Sequence, residues 1–430
     1  MADQSQWRSL QAPFVRGSDQ PALMPRTGLP LDRLLPPYFE GMATEWVKKF
    51  VPPGSWILDP FGQDPFSILE LARSGYRVLV TSNNPIPAFI LELMASAPSS
   101  EEWGDALLAL ANLTLQDGTR LEDYINAFYQ IECPNPDCPN TTAEIERFIW
   151  HEGETAPASA IINCSACGLT QELPITPAIL SQMPTLPSFA LYRARALELA
   201  APLDDPLRPV MEDVIKYYSP LSLVLLQIIL NKLDHPSLST HQKILMRALL
   251  LTTADQTNQL WAYPLGRNRP KQLVRPPVYQ EPNLWQALLR SKDQWTLPEN
   301  AIPVKNWPEL PPLKGGVSLF RGRLRELTPK PGAGSVALVY TSLPRRNQAY
   351  WNLSGLWSGW LWGRESIAAL RNALLKQRYD WTWHTKSLSA VLQHLAGLVS
   401  TETPVLLQIG ELDQLFLLAG ILGAQDAGLK

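Results

Sequence analysis

Residues 55–97 alternate strand, helix, strand and helix, and no other feature narrows the possible folds as far. SWILD is a short β run, PFSILELARSG has the apolar period of an amphipathic helix and stops at Gly75, YRVLVTS is a second β run, and PIPAFILELMASA is a second helix. Elements in this order and at this spacing specify a parallel, doubly wound α/β sheet. Such sheets bind ligands beyond the carboxyl ends of their strands, which places Asp59 and the Ser82-Asn83-Asn84 turn where a ligand would sit. The stretch WILDPFGQDP therefore puts a carboxylate at the mouth of the sheet and a second one, Asp64, five residues on.

A chain of 430 residues can bury a large core and holds two or three domains by length. Its net charge of −3 supplies no global attraction to nucleic acid, so such binding has to come from local patches. Many of the 40 prolines fall in stretches such as RPPVYQEP and WPELPPLKGG, which read as extended linkers. The opening MADQSQWRSLQAPFVRG lacks a secretory apolar core, and nowhere do about 18 uncharged apolar residues follow one another. The expectation is a soluble, cytoplasmic protein without a membrane partner, in which LSLVLLQIIL (221–230) is a buried helix.

All four cysteines fall in two pairs, Cys133 and Cys138 in ECPNPDCPN and Cys164 and Cys167 in NCSACGLT. Two knuckles can aim four thiolates at one tetrahedral ion, and Gly168 eases the second turn. ERFIWHE and ASAIINC between them read as short strands. The expected metal is a structural zinc, since four Cys ligands leave no open position for a reactive water. Two disulfides and unrelated buried thiols are the competing readings. The first knuckle is wider than usual, and His151 is an alternative ligand or a surface hairpin residue.

DPFGQDPF, followed by NNP after the next strand, resembles the cofactor-binding half of the amino-group (adenine or cytosine) DNA methyltransferases. The resemblance implies S-adenosylmethionine as cofactor, with Asp59, Pro60 and Phe61 matching the opening of the family's Asp-Pro-Phe-x-Gly-x-Gly motif. Gly62, Ser82 and Asn84 complete the implied cofactor site. Here Gly62 comes one place early, Gln63 and Pro65 stand at the two later glycine positions, and Ser82 stands where some relatives carry an acid.

GGVSLFRGRLREL (315–327) resembles the family's third strand, and SVALVYTSLPRRNQAYW (335–351) the strand with the catalytic motif Asp/Asn-Pro-Pro-aromatic. The implied catalytic positions are Ser342, Pro344 and Arg345, of which only Pro344 matches the motif. In the family this turn holds the amine and stacks the flipped base. Ser342 is shorter than Asp or Asn, and Arg345 brings a charge to the place of a neutral ring. The Trp-rich run after the turn resembles a group of large methylases with an inserted zinc ribbon, and YYSPLSL (217–223), EPNLW (281–285) and PVLLQIG (404–410) echo the same group.

The expected architecture is a Rossmann-like methyltransferase sheet with a zinc-ribbon insertion and a helical insertion. Residues 1–125 form its amino-terminal half with the cofactor motif in 55–97, 126–185 the ribbon, 186–304 the helical insert and Pro-rich linker, and 305–430 the carboxyl-terminal half. Arg267, Arg269, Lys271 and Arg275, then Arg321, Arg323 and Arg325, then Arg345 and Arg346 read as a phosphate-binding edge or as solvated loops. Tyr350, Trp351, Trp357, Trp360 and Trp362 read as a stacking platform or as packing at helical spacing. Two functions follow: a DNA methyltransferase (DNA rather than RNA), or a catalytically inactive subunit of the same fold that binds nucleic acid or a protein partner.

Overall fold

The structure, a computed structural model, describes residues 24–138, 142–264, 269–296, 300–328, 335–376, 378–411 and 413–429. The amino-terminal stretch MADQSQWRSLQAPFVRG and Arg267 lie outside the described residues. In chain order the strands are β1 (Trp56–Asp59), β2 (Arg77–Ser82), β3 (Gln130–Glu132), β4 (Thr142–His151), β5 (Ser159–Cys164), β6 (Leu169–Pro174), β7 (Val278–Pro282), β8 (Val304–Asn306), β9 (Gly316–Arg321), β10 (Leu338–Ser342) and β11 (Val405–Gln408).

Six of them form one sheet in the order β11-β10-β1-β2-β9-β8, every pair parallel. The order reverses at β1, with β2 on one side and β10, from 280 residues later, on the other. Both faces are covered, as a parallel sheet requires. Ile57, Val78 and Val80 belong to the main core with Phe66 and Ile68 of helix Pro65–Arg73 and Ile90 of helix Pro85–Ser96. Their alternates Trp56, Leu58, Leu79 and Val339 pack on the opposite face with Leu392 and Leu395 of helix Trp381–Ala396.

The second sheet is antiparallel. β3, β4, β5 and β6 follow one another, and β7 returns from more than a hundred residues downstream to pair with the second half of β4. The expected strands ERFIWHE and ASAIINC are β4 and β5, whereas β7 comes from within the expected helical and Pro-rich region. Asn283, which caps helix Leu284–Trp295, also donates to Glu144 Oε1 at 2.9 Å and to the Ile145 carbonyl at 3.3 Å. One residue thus starts a helix and pins the strand beside it.

The helix Pro220–Lys232 buries Leu223 to Leu230 without a break, as its uninterrupted apolar run dictates, and it packs beside helix Phe189–Ala200. Among the described residues no single helix is long and apolar enough to cross a membrane. Helix Thr240–Gln256 joins these helices to helix Leu284–Trp295, and a buried ion pair ties it to the amino-terminal segment. Arg33 holds Asp255 through Nε (3.0 Å) and Nη2 (2.6 Å), donates to Asn258 Oδ1 (3.1 Å), and stacks 4.0 Å from the Trp261 ring centre. Such a pair is costly to break from one side only.

Candidate functional site

The strand-end corner is built from β1, β2 and β10. Asp59 closes β1, and its Oδ1 accepts from the main-chain N–H groups of Phe61 and Gly62, both at 3.0 Å, and from Thr341 Oγ1 at 2.5 Å. Asp64 caps the next helix: Oδ1 accepts from the Ser67 N–H at 3.1 Å, while Oδ2 accepts from Ser67 Oγ at 2.6 Å and Ser342 Oγ at 2.9 Å. The consecutive hydroxyls of Thr341 and Ser342 thus each satisfy a different buried carboxylate. Burial pushes the Asp59 pKa up to about 6, against the pull of those three donors. Burial raises Asp64 as well.

The turn after β1 lies directly on β2. Gly62 has φ +56°, and a Cβ there would stand 2.6 Å from the Thr81 carbonyl oxygen and 2.9 Å from Val80 Cγ1. Thr81 Oγ1 fastens the turn by donating to the Pro60 carbonyl at 2.7 Å. Ser82 Oγ donates to the Asn84 carbonyl at 3.1 Å, and Asn84 caps helix Pro85–Ser96 through the Ile86 N–H. The Asn84 amide also donates to Tyr350 Oη (3.2 Å) and Ser354 Oγ (3.4 Å). Asp59, Gln63, Asp64, Ser82, Asn84 and Ser342 are all at most 4% exposed. These residues converge on one corner, where their polar groups face one another. In this arrangement those buried groups are engaged with one another rather than presented to a cofactor such as S-adenosylmethionine.

Past β10 the chain turns through Leu343 and Pro344 to Arg345, which is 9% exposed. Arg345 pairs with Glu411 and donates to the Leu34 carbonyl at 3.4 Å, so its guanidinium is engaged inside the protein. Burial lowers the Arg345 pKa while Glu411 holds it up. Of the five aromatics after this turn, Tyr350, Trp357 and Trp360 are buried, and Trp357 Nε1 donates to Tyr218 Oη at 2.7 Å. They are packing, and they offer no platform to a base. The basic groups are largely matched within the fold: Arg321 pairs with Glu92, Lys271 with Asp413 at 3.2 Å, and Arg275 donates to Gln259 Oε1 at 2.7 Å.

The four cysteine sulfurs gather at one end of the antiparallel sheet, all within 4.8 Å of one another. Cys133 and Cys167 approach to 3.8 Å and Cys138 and Cys164 to 3.5 Å. A disulfide would need about 2 Å, whereas a tetrahedron of thiolates on an ion with bonds of about 2.3 Å has edges of about 3.8 Å. The donor set fits a structural metal. The Leu169 main-chain N–H draws the Cys167 thiol down to about 6. His151 stands exposed at the other end of β4, 3.7 Å from Glu154, and has no part in the cluster.

Sequence reasoning missed Thr341, Glu411 and the hydroxyl-binding role of Asp64. The adjacent hydroxyls of YTSLP, at the end of the strand that resembles the one with the catalytic motif, were the available signal. No family model, no curated protein and no solved structure matches the chain.

Proposed function

We propose that this protein is a methyltransferase-type α/β subunit that no longer transfers a methyl group, and that it works by binding within a DNA-handling assembly. The observation that carries this reading is the pairing of Thr341 with Asp59 and of Ser342 with Asp64. An exocyclic amine has to be oriented by a free acceptor at the end of β10, and orientation is a large part of such catalysis. Ser342 keeps acceptor lone pairs while it donates to Asp64, but it is buried at 2% exposure, so they are not presented to a substrate, and Arg345 is held by Glu411. The metal in this reading is zinc, held by Cys133, Cys138, Cys164 and Cys167 in a structural ribbon.

A second reading, an active S-adenosylmethionine-dependent DNA amino-methyltransferase, is favoured by one observation. The parallel order brings Asp59 and the Asn84 turn, from one strand-helix-strand unit, to the same edge as Ser342 from far down the chain. Calorimetric titration with S-adenosylmethionine separates the two. The first reading expects no heat; saturable binding abolished by Asp59→Ala would overturn it in favour of the second.

A further inference from the structure

Helix Gln414–Asp426, which follows β11, reads QLFLLAGILGAQD and is apolar on every side. A helix of that composition is normally covered on every side. One face is accounted for: Phe416, Ala419, Gly420 and Gly423 are buried against helix Trp381–Ala396 and the sheet, so closely that a Cβ on Gly423 would stand 3.3 Å from Leu388 Cβ. The opposite face is bare. Leu415, Leu418, Ile421 and Leu422 recur there at helical spacing, each between 41% and 51% exposed. No charged residue stands between Asp413 and Asp426.

The helix adjoins β11, the end strand of the six-stranded sheet, and Ile409 just past that strand lies against Gly420. The two edges of this sheet are built differently. β8, at the far edge, is three residues long, exposes Lys305 and has Pro303 before it and Pro308 after it, which are the devices by which an edge avoids pairing. β11, VLLQ, has no charge and no proline within it, and all four residues are only partly buried, whereas β1 and β10 are buried throughout.

We infer that the bare helix face and the β11 edge form one interface whose occupant is a second copy of this chain, docked about a two-fold axis with the two Gln414–Asp426 helices antiparallel. A two-fold at the level of Gly420 sets Leu418 against the partner's Leu422 and Leu422 against the partner's Leu418, so the patch is its own complement, as an isologous contact requires. The charges agree with this direction. Lys271, half-exposed and 3.2 Å from Asp413 at the start of the helix, comes beside the exposed Asp426 at the end of the other, and each helix's carboxyl end lies along the other's amino end. A helix that rests on a lipid surface carries lysine and arginine on its polar side, and this one has neither, so its match is a protein surface. A helix of this length, about 20 Å, falls short by itself of the about 800 Å² per partner that a stable interface buries, and the β11 edge beside it extends the contact. The interface is separate from the Asp59 corner and holds under either reading of it.

The test is sedimentation equilibrium of the full-length protein, with a reversible dimer expected at about 10–50 µM. Leu418→Glu with Leu422→Glu, and separately Leu418→Lys with Leu422→Lys, set like charges across the two-fold. Each double variant should raise the dissociation constant about a hundredfold or more, and because both positions are exposed each should keep the circular dichroism of the unmodified protein. An equimolar mixture of the two should recover the dimer, since each then meets the opposite charge. Asp426→Lys should weaken association less, and Leu108→Glu, as exposed on another helix, should leave it unchanged. A monomer at every concentration, a dimer that survives both double variants, a mixture that stays monomeric, an open-ended series of larger species, or recovery of the monomer with phosphatidylcholine vesicles instead overturns the assignment.

Discussion

Asp59 and His384 are buried ionisable groups whose effects on stability run in opposite directions. The Asp59 pKa is about 6 in the folded protein against 3.8 for the free group, so the folded state holds its proton more tightly. Its contribution is favourable in acid and is lost as pH rises from about 4 to about 6, in all about 3 kcal/mol. Asp59→Asn keeps an oxygen for Phe61, Gly62 and Thr341 but cannot ionise. The variant should therefore gain on the unmodified protein between pH 4.5 and pH 7.5 in urea unfolding, and an equal difference at both pH values would refute this. Burial, helped by Arg346, pushes His384 down to about 4, so its contribution is present above about pH 6.5 and is lost as pH falls towards 4. Because the two slopes oppose, His384→Asn should uncover a steeper decline with rising pH than the unmodified protein has. The sequence shows both residues without showing either effect, since Asp59 is enclosed partly by β10 from far down the chain and His384 by Trp381, Phe416 and Arg346 folded around it.

At the scale of elements, what could be read was whatever local pattern decides. β1, β2, the helices after them and β10 follow from apolar period and capping residues such as Asn84. Local pattern says little about β8, three residues at an edge of the sheet, or about β7, whose strand character comes from its pairing with β4. The cysteine pairs were legible because spacing alone defines the knuckles, while the geometry of the corner was not, since it depends on side-chain hydroxyls finding carboxylates across two strands. Gly62→Ala tests how tightly the first turn is seated. With the Thr81 oxygen 2.6 Å from the new methyl, the turn must lift off β2, and thermal unfolding should register a loss of about 1–3 kcal/mol. Cys164→Ser should release the metal and lower the melting temperature; unchanged metal content by mass spectrometry would rule out the four-thiolate site.

Taken as a whole, the molecule is held by long-range ties. Asp59 to Thr341, Asn84 to Tyr350 and Arg33 to Asp255 each join segments more than two hundred residues apart. Arg33→Met leaves the Asp255 carboxylate buried and unmatched, so chemical denaturation should show a loss of about 3–5 kcal/mol. The pairing of β7 with β4 would give a metal held by the four cysteines a reach well beyond its own knuckles. β4 runs from the cysteine cluster to β7, and Asn283 fastens the start of the following helix to the same strand. Chelation should therefore be felt near residue 280, where trypsin, excluded from the loaded protein, would begin to cut after Arg290. A metal that touches no substrate would in this way govern how long the chain survives in the presence of a protease.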